Sequence, residues 1–179
     1  TPIDEYFKGT STKAFDFWTK LCNELIVPKG LFLDEFDIFK DWAFEFCEAN
    51  DRTLRSAAII AICSILEFLA DSIKRSTEAL DNLQNSTKSD KSAVTKRQIE
   101  TFQTELDNSR TLSMQLYTTV IKPRSRDYDP KLREACTITM GKIVQLAPDD
   151  FGDMNIIKVL INALNDESSK NRKQAIKQI

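Results

Sequence analysis

The chain predicts an all-α fold, a HEAT-like helical repeat array interrupted by a long antiparallel helical hairpin. Three observations predict it. Only four glycines and five prolines interrupt 179 residues. Charged residues make up 29% of the chain, a balance that suits long amphipathic helices and not the turn-dense sequence of a sandwich or barrel. Apolar residues also recur at spacings of three and four through segment after segment. At this length one folding unit is the default.

A first helix is predicted over residues 11–27, with Phe15, Trp18, Cys22, Leu25 and Ile26 near one stripe and Pro28 and Gly30 closing it. A second, over residues 34–49, carries Phe36, Phe39, Trp42, Ala43, Phe46 and Cys47 as a broad aromatic face that another helix must cover, so these aromatics are assigned to the core. This helix pair spans 11–50. The third helix opens at Asn50 and Asp51, either of which can accept the first free N–H groups. Its pattern runs without a breaker through Leu54, Ala58, Ile62, Leu66, Leu69 and Ile73, and does not stop before Leu83.

After the polar stretch 85–92, a fourth helix carries Val94, Phe102, Leu106, Leu112, Leu116 and Val120, and Pro123 ends it. The third and fourth helices make the hairpin, residues 51–123. Each arm reaches on the order of 45 to 50 Å, whereas a compact chain of this length has a gyration radius of about 16 Å, so the hairpin projects from the body. Large apolar residues are sparse over 71–98, which predicts a solvated, mobile tip.

The HEAT-like repeats follow over 129–179. Asp129 caps, and Pro130 takes the first position of a helix with Leu132, Ala135, Cys136, Ile143 and Val144, which Pro148 ends. A helix from Met154 to Asn165 comes next, then one starting near Ser168. The chain begins with Thr1 and ends within a helical pattern, as an excised N-terminal fragment of a longer scaffold would.

Composition narrows function. There is no histidine, which removes the commonest general base, the commonest zinc ligand and the Ser-His and Cys-His forms of nucleophilic catalysis. Cys22, Cys47, Cys63 and Cys136 form no CxxC pair and read as buried free thiols of a reducing compartment. No apolar run approaches the roughly 20 residues of a membrane span, and no signal peptide opens the chain. Neither a cofactor nor a metal site is indicated. In the run Asp149, Asp150, Asp153, helix capping by Asp150 explains more than calcium binding does. Residues 1–51 carry 11 acidic and 5 basic side chains, against 16 and 20 in residues 52–179, which permits a basic face in the second part.

A local signature recurs: Asp51-x-x-Leu54-Arg55-x-Ala57, then Asp129-x-x-Leu132-Arg133-x-Ala135, with a looser third copy from Asp166 through Arg172 to Ala175. The second and third lie 37 residues apart, near HEAT spacing. An acidic cap, an arginine one turn in and a small residue for close helix approach are the features such a repeat needs.

The stretch Lys122-Pro123-Arg124-Ser125-Arg126-Asp127-Tyr128-Asp129-Pro130-Lys131-Leu132-Arg133-Glu134-Ala135-Cys136, followed by Gly141, completes a specific order after the aromatic helix pair and the charged hairpin. It resembles the stromal antigen (STAG) family of cohesin subunits, whose corresponding stretch reads His-Arg-Tyr-Arg-Asp, a short acidic linker, Ile-Arg, then a Cys and a Gly. The similarity runs from about Phe15 to the end and is strongest from Ile121 to Asp166. The resemblance implies a divergent member: a non-enzymatic HEAT-repeat scaffold of the cohesin ring, nuclear and chromosomal. It would act in sister chromatid cohesion, contacting DNA, the kleisin and other cohesin subunits through the full-length protein, and regulator proteins. No membrane partner is implied. In many members a regulator surface uses the Tyr of that motif and a Trp in the following helix pair. The aligned positions here are Ser125 and Asn162, while the flanking Arg126 and Lys158 remain as a charged protein-binding surface.

Two basic clusters are candidates for non-specific contact with the DNA phosphate backbone. Lys88, Lys91, Lys96 and Arg97 sit near the hairpin tip, where the alternative is an ordinary solvated end. Lys122, Arg124 and Arg126 lie in a loop stiffened by Pro123 and Pro130, where the alternative is internal pairing; Arg133 is assigned to internal pairing. The competing function is a HEAT or armadillo-type protein-binding adaptor in transport or trafficking, in which both clusters only solubilise.

Overall fold

The computed structural model describes residues 34–86, 93–152 and 155–179. They form α1 (Asp34–Cys47), α2 (Arg52–Ser86), α3 (Ala93–Leu116), α4 (Pro130–Leu146), α5 (Ile156–Ala163) and α6 (Ser169–Gln178). A π-helical turn at Tyr117–Ile121 and a short continuation at Lys122–Arg124 extend α3, and one further turn spans Pro148–Phe151. No strand occurs among the described residues. The helix predicted over 11–27, and the hairpin tip with Lys88 and Lys91, lie outside them.

α2 is the centre of the molecule. It starts where the Asp51 carboxylate accepts the N–H groups of Thr53 and Leu54 at 2.8 and 2.9 Å, two donors that the first helical turn leaves without partners. Ile59, Ile62, Leu66, Leu69, Ile73 and Leu80 then follow one stripe, and all are buried. At about 1.5 Å per residue the helix is on the order of 50 Å long. It packs on α1, α3 and α4. By length and composition α2 could cross a membrane, so the expectation that no apolar run approaches such a span is corrected. The physical reason is its central position: with helices around it, apolar residues spread beyond one face, and 67% of the apolar stretch is buried.

Buried side chains end at Leu80 on α2 and begin at Leu106 on α3; residues 81–85 and 94–105 contribute none. That upper part is therefore a projecting arm held by few apolar contacts. At its base, Pro123 does not end the helix as expected. In an α-helix its ring would meet the carbonyl of Thr119. Here the preceding turn is widened, with the Lys122 N–H donating to the Tyr117 carbonyl five residues back, and helix continues to Arg124.

α1 buries Ala43 and Cys47, but Trp42 is 60% exposed, with its ring edge-on to Phe46 at 4.3 Å. The aromatic face is thus only partly core. α2 covers the stripe through Ala43, and Trp42 stands about 100° round the helix from it. Cys47, Cys63 and Cys136 are free and buried, and burial pushes the Cys47 thiol up to about 12, out of the range of a reactive thiolate.

α4 starts as predicted, with the Asp129 carboxylate accepting the Lys131 N–H at 2.9 Å and Pro130 at the first position. It packs on both α2 and α6. At Gly141 a Cβ would lie 2.1 Å from Oε1 of Gln178, so the missing side chain lets the end of α6 sit against α4. Asp150 does not cap, which corrects that assignment. It lies inside the turn Pro148–Phe151, whose N-cap is Ala147, and pairs with Arg110 of α3.

Candidate nucleic-acid interface

The basic loop between α3 and α4 is built on a ladder of arginines. Arg55, Arg133 and Arg172 make the same local contact: each donates to the carbonyls six and five residues earlier. For Arg55 these are Ala49 and Asn50 at 2.8 and 3.4 Å. For Arg133 they are Asp127 and Tyr128 at 2.8 and 3.2 Å, and for Arg172 Asp166 and Glu167 at 2.7 and 3.0 Å. Each arginine thereby ties its own helix to the loop that enters it.

The first two also reach forward to the next loop. Arg55, 3% exposed, pairs with the fully buried Asp127 carboxylate at 3.2 Å and stacks 4.6 Å from the centre of the Tyr128 ring, whose hydroxyl it also contacts. Arg133 grips Asp166 in a two-pronged pair, Nε and Nη2 at 2.7 and 2.8 Å. Arg133 to Arg172 is 39 residues and Arg55 to Arg133 is 78, twice that interval, with the hairpin in between. The sequence signature had the third copy out of register. Asp166 is the equivalent of Asp127, six residues before its arginine, and Ser168 stands where Asp51 and Asp129 cap.

These carboxylates set measurable charge states. The Arg133 guanidinium, helped by the Ser168 N–H and Asn171, holds the Asp166 carboxyl down to about 2 from an ordinary 3.8. A depressed carboxylate pKa contributes stability that is complete above the unfolded value and disappears as pH falls through the folded one. Between about pH 4 and pH 2 we therefore expect a loss of roughly 2 kcal/mol from this group. Asp166→Asn should flatten that part of the stability-pH curve from urea melts; an unchanged curve would show that Asp166 is not the titrating group.

Arg124 points into the ladder. Its guanidinium lies between Asp127 at 3.3 Å and Glu48, and its side chain is 19% exposed. Burial alone would lower its pKa, but the two carboxylates raise it above its ordinary value. Lys122 and Arg126 are exposed, and neither has a carboxylate partner among the described residues. Lys96 and Arg97 are exposed near the far end of the arm, also without an ion-pair partner among the described residues. From Arg97 to Lys122 the helix spans about 37 Å. A shallow cavity of about 310 Å³ lies beside Arg97, lined by Val94, Gln98, Thr101 and Phe102.

Lys158 is exposed on α5, between Ile157 and Ile161, which are 46% and 48% exposed. The Ser125 hydroxyl donates to the Lys122 carbonyl at 2.7 Å, and Asn162 is exposed. Sequence reasoning missed the forward pairing of Arg55 and the cover of Tyr128 on it. The signal that could have found them was the arginine spacing of 78 and then 39, which the Asp-to-Asp spacing of 37 obscured.

Comparison with known proteins adds to this geometry. Residues 126–179 match the stromalin conservative domain. The structure is similar to that of cohesin subunit Scc3 from Z. rouxii, with a TM-score of 0.66 at 18% sequence identity; the match covers 92% of this chain and 20% of that one. At such identity the likeness is one of fold. No relative is found among curated proteins.

Proposed function

From a chain that carries the stromalin conservative domain over residues 126–179 and shares its fold with part of a cohesin subunit, we propose a non-enzymatic HEAT-type scaffold of the cohesin complex. It acts at chromosomes in the nucleus, in sister chromatid cohesion. It contacts the DNA phosphate backbone without sequence preference, through Lys88, Lys91, Lys96 and Arg97 on the arm and Lys122 and Arg126 at its base. Arg124 is the residue that positions this loop. Kleisin and the other cohesin subunits are engaged by the longer protein, and regulator proteins meet the charged surface of Arg126 and Lys158.

The observation that carries this reading is two exposed cation pairs without an ion-pair partner among the described residues, Lys96 with Arg97 on the projecting arm and Lys122 with Arg126 at its base. Exposed lysines and arginines with no carboxylate to hold them stabilise the fold little, and phosphate binding by them releases counterions.

The test is a titration of duplex DNA over a salt series. Six phosphate contacts by these residues give a log-log slope of about −5.4, and replacing either the Lys96 and Arg97 pair or the Lys122 and Arg126 pair by glutamine makes it shallower by about 1.8. No binding at low salt would leave the protein-binding adaptor as the better reading. A slope unmoved by both double variants would place the contact elsewhere.

A further inference from the structure

Tyr128, in the loop that enters α4, is 71% exposed, yet its ring is held in place. One face lies on the Arg55 guanidinium, 4.6 Å from the ring centre, and the hydroxyl contacts the same group. Arg55 is itself fixed, 3% exposed, by the Asp127 carboxylate at 3.2 Å and the Ala49 carbonyl at 2.8 Å. The backbone beside the ring is pinned as well. The Tyr128 carbonyl accepts from Arg133 at 3.2 Å, and the Asp129 N–H donates to Asp127 at 2.9 Å. With one face on Arg55, so large an exposure leaves the opposite face to solvent. An aromatic side chain held this way loses little freedom when something stacks on it.

The surroundings of the ring select what stacks there. The loop reads Arg126-Asp127-Tyr128-Asp129-Pro130-Lys131, balanced in charge as letters, but both carboxylates are withdrawn, with the Asp127 and Asp129 side chains 0% and 3% exposed. Arg126 and Lys131 are exposed, and neither has an ion-pair partner among the described residues. We infer that Tyr128 is a stacking platform for an unpaired nucleobase of single-stranded DNA, with Arg126 and Lys131 meeting the phosphates beside that base and Arg55 as the positioning residue behind the ring. A duplex hides its base faces between neighbouring pairs, whereas a single strand offers them, and an aromatic face flanked by cations is the combination that binds such strands. A peptide anchor would need apolar walls around the ring, and the residues flanking it are two aspartates. The site shares Arg126 with the duplex contact proposed above and rests on that reading for the phosphate part; the stacked base is separate from it.

The experiment titrates the protein with single strands of about 8 nucleotides carrying one central 2-aminopurine, whose fluorescence falls when it stacks, and with a fully abasic strand of the same length. The wild-type protein quenches the 2-aminopurine and prefers the base-bearing strand at least about fivefold, the low end of what one stacked base contributes; this comparison needs no variant to fold. In Tyr128→Leu, which keeps an apolar cover on Arg55, the quench disappears and single-strand affinity falls by a similar factor, while duplex affinity changes less than about twofold. Tyr128→Phe, which loses only the hydroxyl contact, retains both quench and affinity. Equal binding of base-bearing and abasic strands overturns the inference and leaves the ring to a protein partner. A quench that survives in Tyr128→Leu overturns it too, as does a loss in that variant as large for duplex as for single strand, which would make Tyr128 only a cover for Arg55. A protein that ignores duplex but still quenches the single strand sinks the duplex reading and supports this one.

Discussion

Asp127→Ala will cost about 3–5 kcal/mol, the loss associated with breaking a buried ion pair from one side. In a chain of this size that corresponds to a Tm lower by roughly 6–20 °C. The reason is the number of groups this one carboxylate serves. It accepts from Arg55, from Arg124 and, at 2.9 Å, from the Asp129 N–H that leads into α4. Removing it leaves Arg55, 3% exposed, with a charge that water cannot reach. The pair next to it behaves differently. Arg52 meets Asp129 at 2.6 Å, but the arginine is 59% exposed, and such a pair contributes at most about 1 kcal/mol. Thermal and urea unfolding of Asp127→Ala check this; a loss below about 1 kcal/mol would mean that the ladder does not hold the loop.

Phe151→Ala should be comparably severe, about 3–5 kcal/mol, the usual range for truncating a buried aromatic. Phe151 is 0% exposed, although it belongs to a helical segment of only four residues. That segment has no length to be stable alone; the ring in the core and the Arg110–Asp150 pair hold it down. Urea melts of Phe151→Ala and Trp42→Ala make the comparison, because Trp42 is the larger residue and 60% exposed. A larger loss at Trp42 than at Phe151 would reverse the assignment of which aromatic is core.

The helices themselves were legible in the sequence because their signals are local. Asp51 and Asp129 cap, Pro130 starts a helix and the three-four spacing marks the buried stripe, each readable from a few neighbouring residues. Errors arose where a decision depended on a distant partner. Pro123 reads as a terminator until a widened turn removes its clash. Trp42 reads as core until the position of α2 shows which stripe of α1 is covered. Asp150 reads as a cap until Arg110 arrives from another helix.

The candidate interface shows the same division. Lys122, Arg124 and Arg126 are indistinguishable as letters in one short run. Only packing separates them: the middle one pairs with Glu48 and Asp127, and the outer two are exposed. Arg133 and Arg55 were recognisable as a pair of repeated residues, but not as rungs that reach into the following loop.

By itself, then, the sequence determined that this chain is helical, where most helices begin, that two of them make a long hairpin and that a motif returns. Those properties follow from backbone capping, ring constraints and hydrophobic periodicity, which act over a turn or two. The tertiary structure decided which cations are buried and that Asp127 and Asp166 link successive helices. Those depend on desolvation and on contacts 33 to 73 residues apart, such as Arg133 with Asp166 and Arg55 with Tyr128, whose energies exist only once the helices are stacked.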